Sequence, residues 1–345
     1  QTCALPIFYF CPGQNMGFES RVAVVGAGVA GLSCANVLRS AGVDVLVLDK
    51  SRGVAGRMST RRGDGWQCDH GAQYFTARHA DFQAEVGRWC AAGTAAAWQP
   101  RLAVIGGDGG HQPDGGLERF VGVPRMTAPA RLLAEGHEVR LEQTVTGLRR
   151  DEAGWCISTR ESGEAVDRYR AVIVAVPAPQ VVPLLQPCAG DMAALAAAVP
   201  MRGSWAVMLR FAARVDLPFD AAFVNQGPLR WVARDSGKPG RAGMETWLLH
   251  ATAEWSEAHI EDAPDSVADV LIAAFAALGA PSPAAWSAHR WRYADSAPAL
   301  GINHVWDAVA GLGLCGDWLN GGKVEGAWLS GRDLGLQVVR ALVSA

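Results

Sequence analysis

At 345 residues, 50% of them hydrophobic and 19% charged, the chain has the composition of a soluble globular protein with room for two domains or one large one. A formal net charge of −3 gives no bulk attraction for nucleic acid or an anionic membrane. No apolar run approaches the roughly 20 residues that a bilayer span needs. The cysteines form no CxxC pair, which argues against a zinc or disulfide framework and reads as reduced structural thiols of a cytoplasmic protein. Basic residues are nearly all arginine, the lysines being Lys50, Lys238 and Lys323. This reads as coding bias rather than an arginine-built binding surface.

Residues 1–15 begin without methionine, hold Pro6 and Pro12, and lack a basic n-region, so they do not read as a secretory signal. Met16 is a natural start, and the stretch before it is expected to be non-native or a disordered tail. The apolar run Val22-Ala23-Val24-Val25 then leads into Gly26-Ala27-Gly28-Val29-Ala30-Gly31 and a helical stretch from Leu32 to Leu38. That is the strand–turn–helix context of a dinucleotide loop. Gly26, Gly28 and Gly31 let the backbone turn tightly and approach a pyrophosphate, whose charge sits on free helix N–H groups, and the small Ala30 keeps the helix close. The next strand, Val43 to Leu48, delivers Asp49 about 20 residues on, where a carboxylate accepts from ribose hydroxyls. An arginine-rich segment, Arg52-Gly53-Val54-Ala55-Gly56-Arg57-Met58-Ser59-Thr60, follows. The two glycine segments around one strand point to FAD.

Further along, Asp81 to Ala92 reads as helix, Gly106 to Gly116 as a glycine-rich loop, and Met126 to Gly136 as a short apolar stretch leading into Glu138-Val139-Arg140-Leu141. Thr144 to Leu148, Gly154 to Ser158 and Asp167 to Arg170 read as three strands of a small antiparallel meander. Ala171 to Val176, stopped by Pro177, reads as a parallel strand covered on both faces. From Leu184 to about Leu300 strand-like pieces, Trp205 to Arg210 and Glu245 to His250, alternate with helical ones, the clearest being Asp265 to Leu278. Tryptophans crowd there, mostly as core packing. Leu312 to Asp317 returns to a short strand ending in an acid, and Val324 to Leu342 has helical spacing. The chain therefore divides into a nucleotide domain of residues 16–80, 126–183 and 301–345, with residues 81–125 and 184–300 inserted as a substrate domain.

The segment from Asp49 to Arg62, the turn Asp69-His70-Gly71-Ala72-Gln73-Tyr74-Phe75-Thr76, and the tail Cys315-Gly316-Asp317-Trp318 with Gly321-Gly322-Lys323-Val324-Glu325-Gly326-Ala327 resemble the flavin amine oxidases in their renalase variant. Ala175 to Gln180 and His289 to Ala294 match as well, so the resemblance runs in order from Met16 to the C-terminus. It implies a two-domain α/β flavoprotein of the amine-oxidase/p-hydroxybenzoate-hydroxylase type, with a Rossmann-like FAD domain and an inserted α+β substrate domain. It also implies positions. Arg57 would stand near the FAD diphosphate, where a guanidinium bonds two phosphate oxygens at once, with Lys50 and Met58 in the same cofactor-binding set. Val145 would clasp the adenine, Gln73 and Tyr74 would run beside the isoalloxazine, and Asp317 would bond the ribityl or diphosphate end. Gly326 and Ala327 would open the last helix toward the pyrimidine edge, where reduction places negative charge, with Lys323 as an added cation. Ala55 departs from the family, whose loops commonly carry glycine there. A positive φ at that position would cost on the order of 1 kcal/mol.

The reaction implied is oxidation of misreduced dihydronicotinamides, 2- or 6-dihydro-NAD(P), to NAD(P)+, with O2 reduced to H2O2. Tyr74, Trp291 and Tyr293 are the candidate walls for the nicotinamide, and Arg292 or Arg290 the candidates for its phosphates. An amine oxidase or desaturase on the same fold is the alternative. It often uses a lysine-held water at the flavin N5, and none of Lys50, Lys238 and Lys323 is obviously placed for that. A non-catalytic flavin scaffold has little support. No cysteine is placed for a covalent flavin link, so the FAD is expected to be non-covalent. No metal, nucleic-acid or membrane partner is expected, and oligomeric state is left open.

Overall fold

The computed structural model describes residues 21–107, 116, 118–164, 167–296 and 300–343. The expectations for residues 1–15, and most of the loop from Gly106 to Gly116, lie outside them. The first sheet has six strands in the order His304–Asp307, Leu312–Cys315, Ala171–Val174, Val22–Val25, Val45–Leu48, Glu138–Arg140. All pairs are parallel except that of the edge strand His304–Asp307 with Leu312–Cys315. The four inner strands are buried along their whole length, which is why they read as unbroken apolar runs rather than as alternations.

Each face of that sheet has its own core. Val22, Val24 and Val47 pack under the helices Val29–Ser40 and Lys323–Val343, while Ala23, Val25, Leu46 and Leu48 pack with Leu148, Trp155 and Ile157 of the meander. The two helices touch through small residues. A Cβ at Gly331 would overlap the Ala30 carbonyl, and Ser33 Oγ donates to the Trp328 carbonyl at 2.9 Å.

The meander corrects one expectation. Its third strand is Gly163–Glu164, not Asp167 to Arg170. Tyr169 instead exchanges both main-chain bonds with Trp155, at 2.8 and 3.0 Å, and this single bridge steers the chain straight into Ala171–Val174.

The second sheet also has six strands, in the order Ala285–Ser296, Met201–Phe211, Glu245–Ala251, Leu229–Arg234, Ala221–Val224, Leu102–Ile105. It is antiparallel apart from the last pair. The helix Pro264–Ala276 covers one face with Val267, Leu271 and Phe275 against Trp205, Leu209 and Trp247. The hairpin Thr60–Gly63/Trp66–Asp69 packs Cys68 on the other, against Ala206, Met208 and Leu248. Residues 81–125, grouped with the inserted domain in the sequence, are divided between the two bodies. The helix Ala80–Ala91 buries Phe82 and Trp89 in the nucleotide-domain core, with Phe82 against Trp328, because its apolar stripe meets the last helix. Only Leu102–Ile105 joins the second sheet.

Candidate active site

A continuous cavity of about 2140 Å³ runs from the glycine loop to the second sheet. Ordinary small-molecule pockets hold roughly 300–1,000 Å³, so this one has room for an extended dinucleotide and a second ligand.

The nucleotide end is built by the first strand–turn–helix. Gly26 (φ 111°) and Gly31 are closed in, since a Cβ on either would overlap a main-chain carbonyl, of Ala175 and of Gly26 respectively. Gly28 is the reverse: a Cβ there would meet nothing within 4 Å and would project into open space. It is also the N-cap of the helix Val29–Ser40, and no side chain caps that terminus. The chain thus leaves a terminus of positive partial charge unobstructed at the cavity wall, as a pyrophosphate requires. Asp49 closes the loop: its Oδ2 accepts the Ala27 N–H and its Oδ1 the Ser51 N–H, both at 2.7 Å. Lys50 lies exposed beside it on the lining, and Ala30 and Met58 are buried there. Ala55 does adopt a positive φ, 102°, while 2% exposed. Its N–H donates to the Ala27 carbonyl at 2.9 Å, so the strained residue ties the second glycine segment to the first.

Arg57 and Asp317 meet on the cavity lining. Arg57 Nη1 donates to Asp317 Oδ2 at 2.9 Å and to the Ala294 carbonyl at 3.1 Å. Val145, at the start of the strand Val145–Asp151, lines the same end. The last helix begins at Lys323 (φ 63°), one residue before the Val324 read from the sequence, so Gly326 closes its first turn and Ala327 begins the second rather than opening the helix. Ala327 and the exposed Lys323 line the cavity, while Gly326 is buried with a Cβ position occupied by the Asn320 carbonyl.

At the sheet end, Tyr74 packs on Trp231 and Trp98, with ring centroids 5.5 and 6.3 Å apart. Trp291 stacks on His70 (5.2 Å), and its Nε1 donates to the His70 carbonyl at 2.8 Å. His250 Nε2 donates to the same carbonyl at 3.1 Å, and Arg61 donates to His289 Nδ1 at 3.3 Å. Burial holds all three imidazoles neutral, His70 at about 3 with help from His289 and Arg61, His250 and His289 at about 4. Tyr293 lines the cavity within an irregularity of the strand Ala285–Ser296, opposite Gly203. Arg290 and Arg292 stand at the rim, but both guanidiniums are held by Glu261, and Arg290 also covers Trp205. Both forks, assigned in the sequence to the substrate's phosphates, are thus engaged by one carboxylate, which offsets only one of their two charges.

Behind Gln73 lies a group the sequence reading passed over. Lys238, 3% exposed, bonds Gln73 Oε1 and Asp69 Oδ2 at 3.2 Å and Asp235 Oδ1 at 2.8 Å, and Arg241 completes the cluster on Asp69. Burial lifts the Asp235 carboxyl to about 6, with Asp69 adding to it. For Asp69 burial acts in the same upward sense, but Lys238 and Arg241 outweigh it and hold that carboxyl well below the usual range. Gln73 itself lines the cavity, with its amide nitrogen donated to the Asp69 and Gly71 carbonyls. The one available signal was the spacing Asp235-Ser236-Gly237-Lys238-Pro239-Gly240-Arg241, which sets acid and cations on one tight turn.

Comparison with known proteins agrees with this architecture. The family of NAD(P)-binding Rossmann-like domains matches residues 24–86, and that of flavin containing amine oxidoreductases matches residues 82–333. L-Amino acid oxidases of Cerastes cerastes and Pseudechis australis are 46% and 49% identical over 68 residues, a stretch that is 19% of this chain and only 13% of either relative. A structure described as a protoporphyrinogen oxidase from Exiguobacterium sp. 255-15 superposes with a TM-score of 0.75 at 13% identity, covering 93% of this chain and 99% of that one. A triple mutant of putrescine oxidase does so at 0.72 and 14%, with the same coverage. At such identities the structures speak for the fold alone. With a Rossmann-like nucleotide domain, an inserted sheet, and a family match over well more than half its length, the chain belongs to the flavin containing amine oxidoreductases.

Proposed function

We propose that the protein is an FAD-dependent oxidase that returns misreduced dihydronicotinamide dinucleotides, 2- or 6-dihydro-NAD(P), to NAD(P)+. Overall, dihydronicotinamide, O2 and a proton give the nicotinamide cation and H2O2. One observation carries this reading. Among the described residues every carboxylate on the cavity lining is already committed, Asp49 to the Ala27 and Ser51 N–H groups, Asp295 to Arg202 at 3.0 Å, and Asp317 to Arg57. Arginines make up most of the remaining charge. An alkylammonium substrate meets no free anion there, whereas a dinucleotide diphosphate suits the field.

Gly28, the first turn after it and Asp49 would hold the diphosphate and ribose of FAD, Arg57 with Asp317 its middle, Val145 the adenine, and the start of the last helix, Lys323 to Ala327, its pyrimidine edge. None of the described cysteines lines the cavity, which supports non-covalent binding. A bound flavin supplies two-electron acceptance and return of those electrons to O2. The protein's part is to bind and orient. Tyr74, Trp231 and Trp291 offer flat apolar surfaces for a nicotinamide ring, and the buried sheet behind them excludes water. Hydride loss from a dihydropyridine releases no proton, and His70, His250 and His289, whose basicity burial weakens, fit a site that needs no base.

The alternative is an amine oxidase, favoured by the local similarity to L-amino acid oxidases. Oxygen-electrode turnover with product analysis separates the two. The proposal expects dihydronicotinamide isomers to yield NAD(P)+ and H2O2 in equal amounts. Turnover of amines or amino acids alone, with ammonia released, overturns it.

A further inference from the structure

Arg230 stands apart from the other arginines of the cavity. It belongs to the strand Leu229–Arg234, where Leu229 pairs with Ala251 and Trp231 with His250, so the register shifts across Arg230 itself. The shift turns the strand over. Leu229 packs with the core beneath the helix Pro264–Ala276, while Trp231 packs on Tyr74 and Phe223 on the cavity side. A bulge of this kind re-aims a side chain, and Arg230, half-buried, lines the cavity beside Trp231 and His250.

Among the described residues its charge has no counter-ion. Arg234 on the same strand is closed on Glu245 at 2.8 Å, Arg57 on Asp317, and Arg290 and Arg292 on Glu261. No carboxylate pairs with Arg230 among the described residues, and all the acids of the lining are taken. Its field is felt nearby, since Arg230 adds to burial in holding His250 neutral. A half-buried guanidinium fork without an acid, facing a cavity, is the arrangement that an anionic ligand group completes.

We propose that Arg230 is the anion-recognition residue of the substrate chamber, taking a phosphate or carboxylate oxygen pair. Resting on the function proposed above, the group is the diphosphate of the dihydronicotinamide dinucleotide. If the substrate were an amino acid, the same fork would take its carboxylate.

The test uses flavin-loaded enzyme and binding alone, read from the flavin difference spectrum. Wild type and Arg230→Met are titrated with NAD+, inorganic pyrophosphate, nicotinamide riboside and L-leucine. Loss of a charge-assisted bidentate contact predicts NAD+ and pyrophosphate binding about ten- to a hundredfold weaker in Arg230→Met. The preference for NAD+ over the phosphate-free riboside should collapse. Unchanged NAD+ affinity, or an equal loss for the riboside, overturns the proposal. Binding of L-leucine but not NAD+, lost in Arg230→Met, keeps the anion site and sinks the dihydronicotinamide reading instead. Should Arg230→Met fail to retain flavin, Arg230→Lys decides. It keeps the charge without the fork and should bind NAD+ more weakly and with greater salt sensitivity, and wild-type affinity there overturns the assignment.

Discussion

Arg57 and Asp317 lie 260 positions apart in the chain and meet as a two-pronged ion pair that joins the second glycine segment to the turn before the last helix. Asp317 is 6% exposed, so the pair is sheltered and geometrically defined. It sets two opposed charges at the middle of the cavity, where the proposed FAD would pass. Arg57→Lys keeps the charge but loses the fork, and should weaken flavin retention about tenfold. Asp317→Asn, which removes the counter-charge of Arg57, should weaken it at least as much. Flavin fluorescence on dilution measures both, and wild-type retention in both variants contradicts the assignment.

The glycine loop separates folding from cofactor binding. Gly28→Val puts its side chain into open space and should leave the urea midpoint of the flavin-free protein unchanged while abolishing flavin uptake. Gly31→Val meets the Gly26 carbonyl and should prevent folding. Circular dichroism and flavin titration of both variants check this. Flavin uptake by folded Gly28→Val would remove the loop from the site.

At Ala55 the protein carries alanine in a conformation that favours glycine. Ala55→Gly removes the steric cost of about 1 kcal/mol but loosens the unfolded chain, and the balance should raise stability by about 0.5 kcal/mol. An unchanged or lower urea midpoint would show that the strain is not there to relieve.

The histidine wall and the buried cluster predict how stability changes with pH. His70, His250 and His289 are depressed from 6.5 to about 3 to 4, so their contribution is full above pH 6.5 and is lost as pH falls through that window. Asp235, raised to about 6, acts oppositely between pH 4 and 6. Three groups against one leave stability falling with acid, and His289→Gln should flatten the slope in urea midpoints between pH 7 and 5. In the same measurements at pH 7, Lys238→Met should cost about 3–5 kcal/mol by leaving Arg241 as the one cation of the cluster for both Asp69 and Asp235, and Asp235→Asn should cost less.

The nucleotide half was legible because its signals are local. Val22–Val25, the glycine loop and Asp49 lie within one short strand–turn–helix–strand stretch, and burial on both faces makes the inner strands plain apolar runs. The tail helix was legible from its spacing to within one residue of its start, Lys323, whose positive φ no periodicity reveals. The chamber was harder. Arg230 lines it through a register shift against Ala251 and His250, which only the assembled sheet displays. Lys238 read as a loop residue because its partners, Asp69 and Gln73, come from a turn 169 and 165 positions away. Arg290 and Arg292 looked available for the same reason: nothing near them in sequence announces Glu261.

The proposed function turns on what delivers electrons to the flavin. Anaerobic rapid mixing of flavin-loaded enzyme with each substrate class, followed by flavin absorbance, measures that step by itself. The account predicts rapid bleaching by 2- or 6-dihydro-NAD(P) and none by primary amines or L-amino acids. Bleaching by amines or amino acids, with the dihydronicotinamides inert, would contradict it.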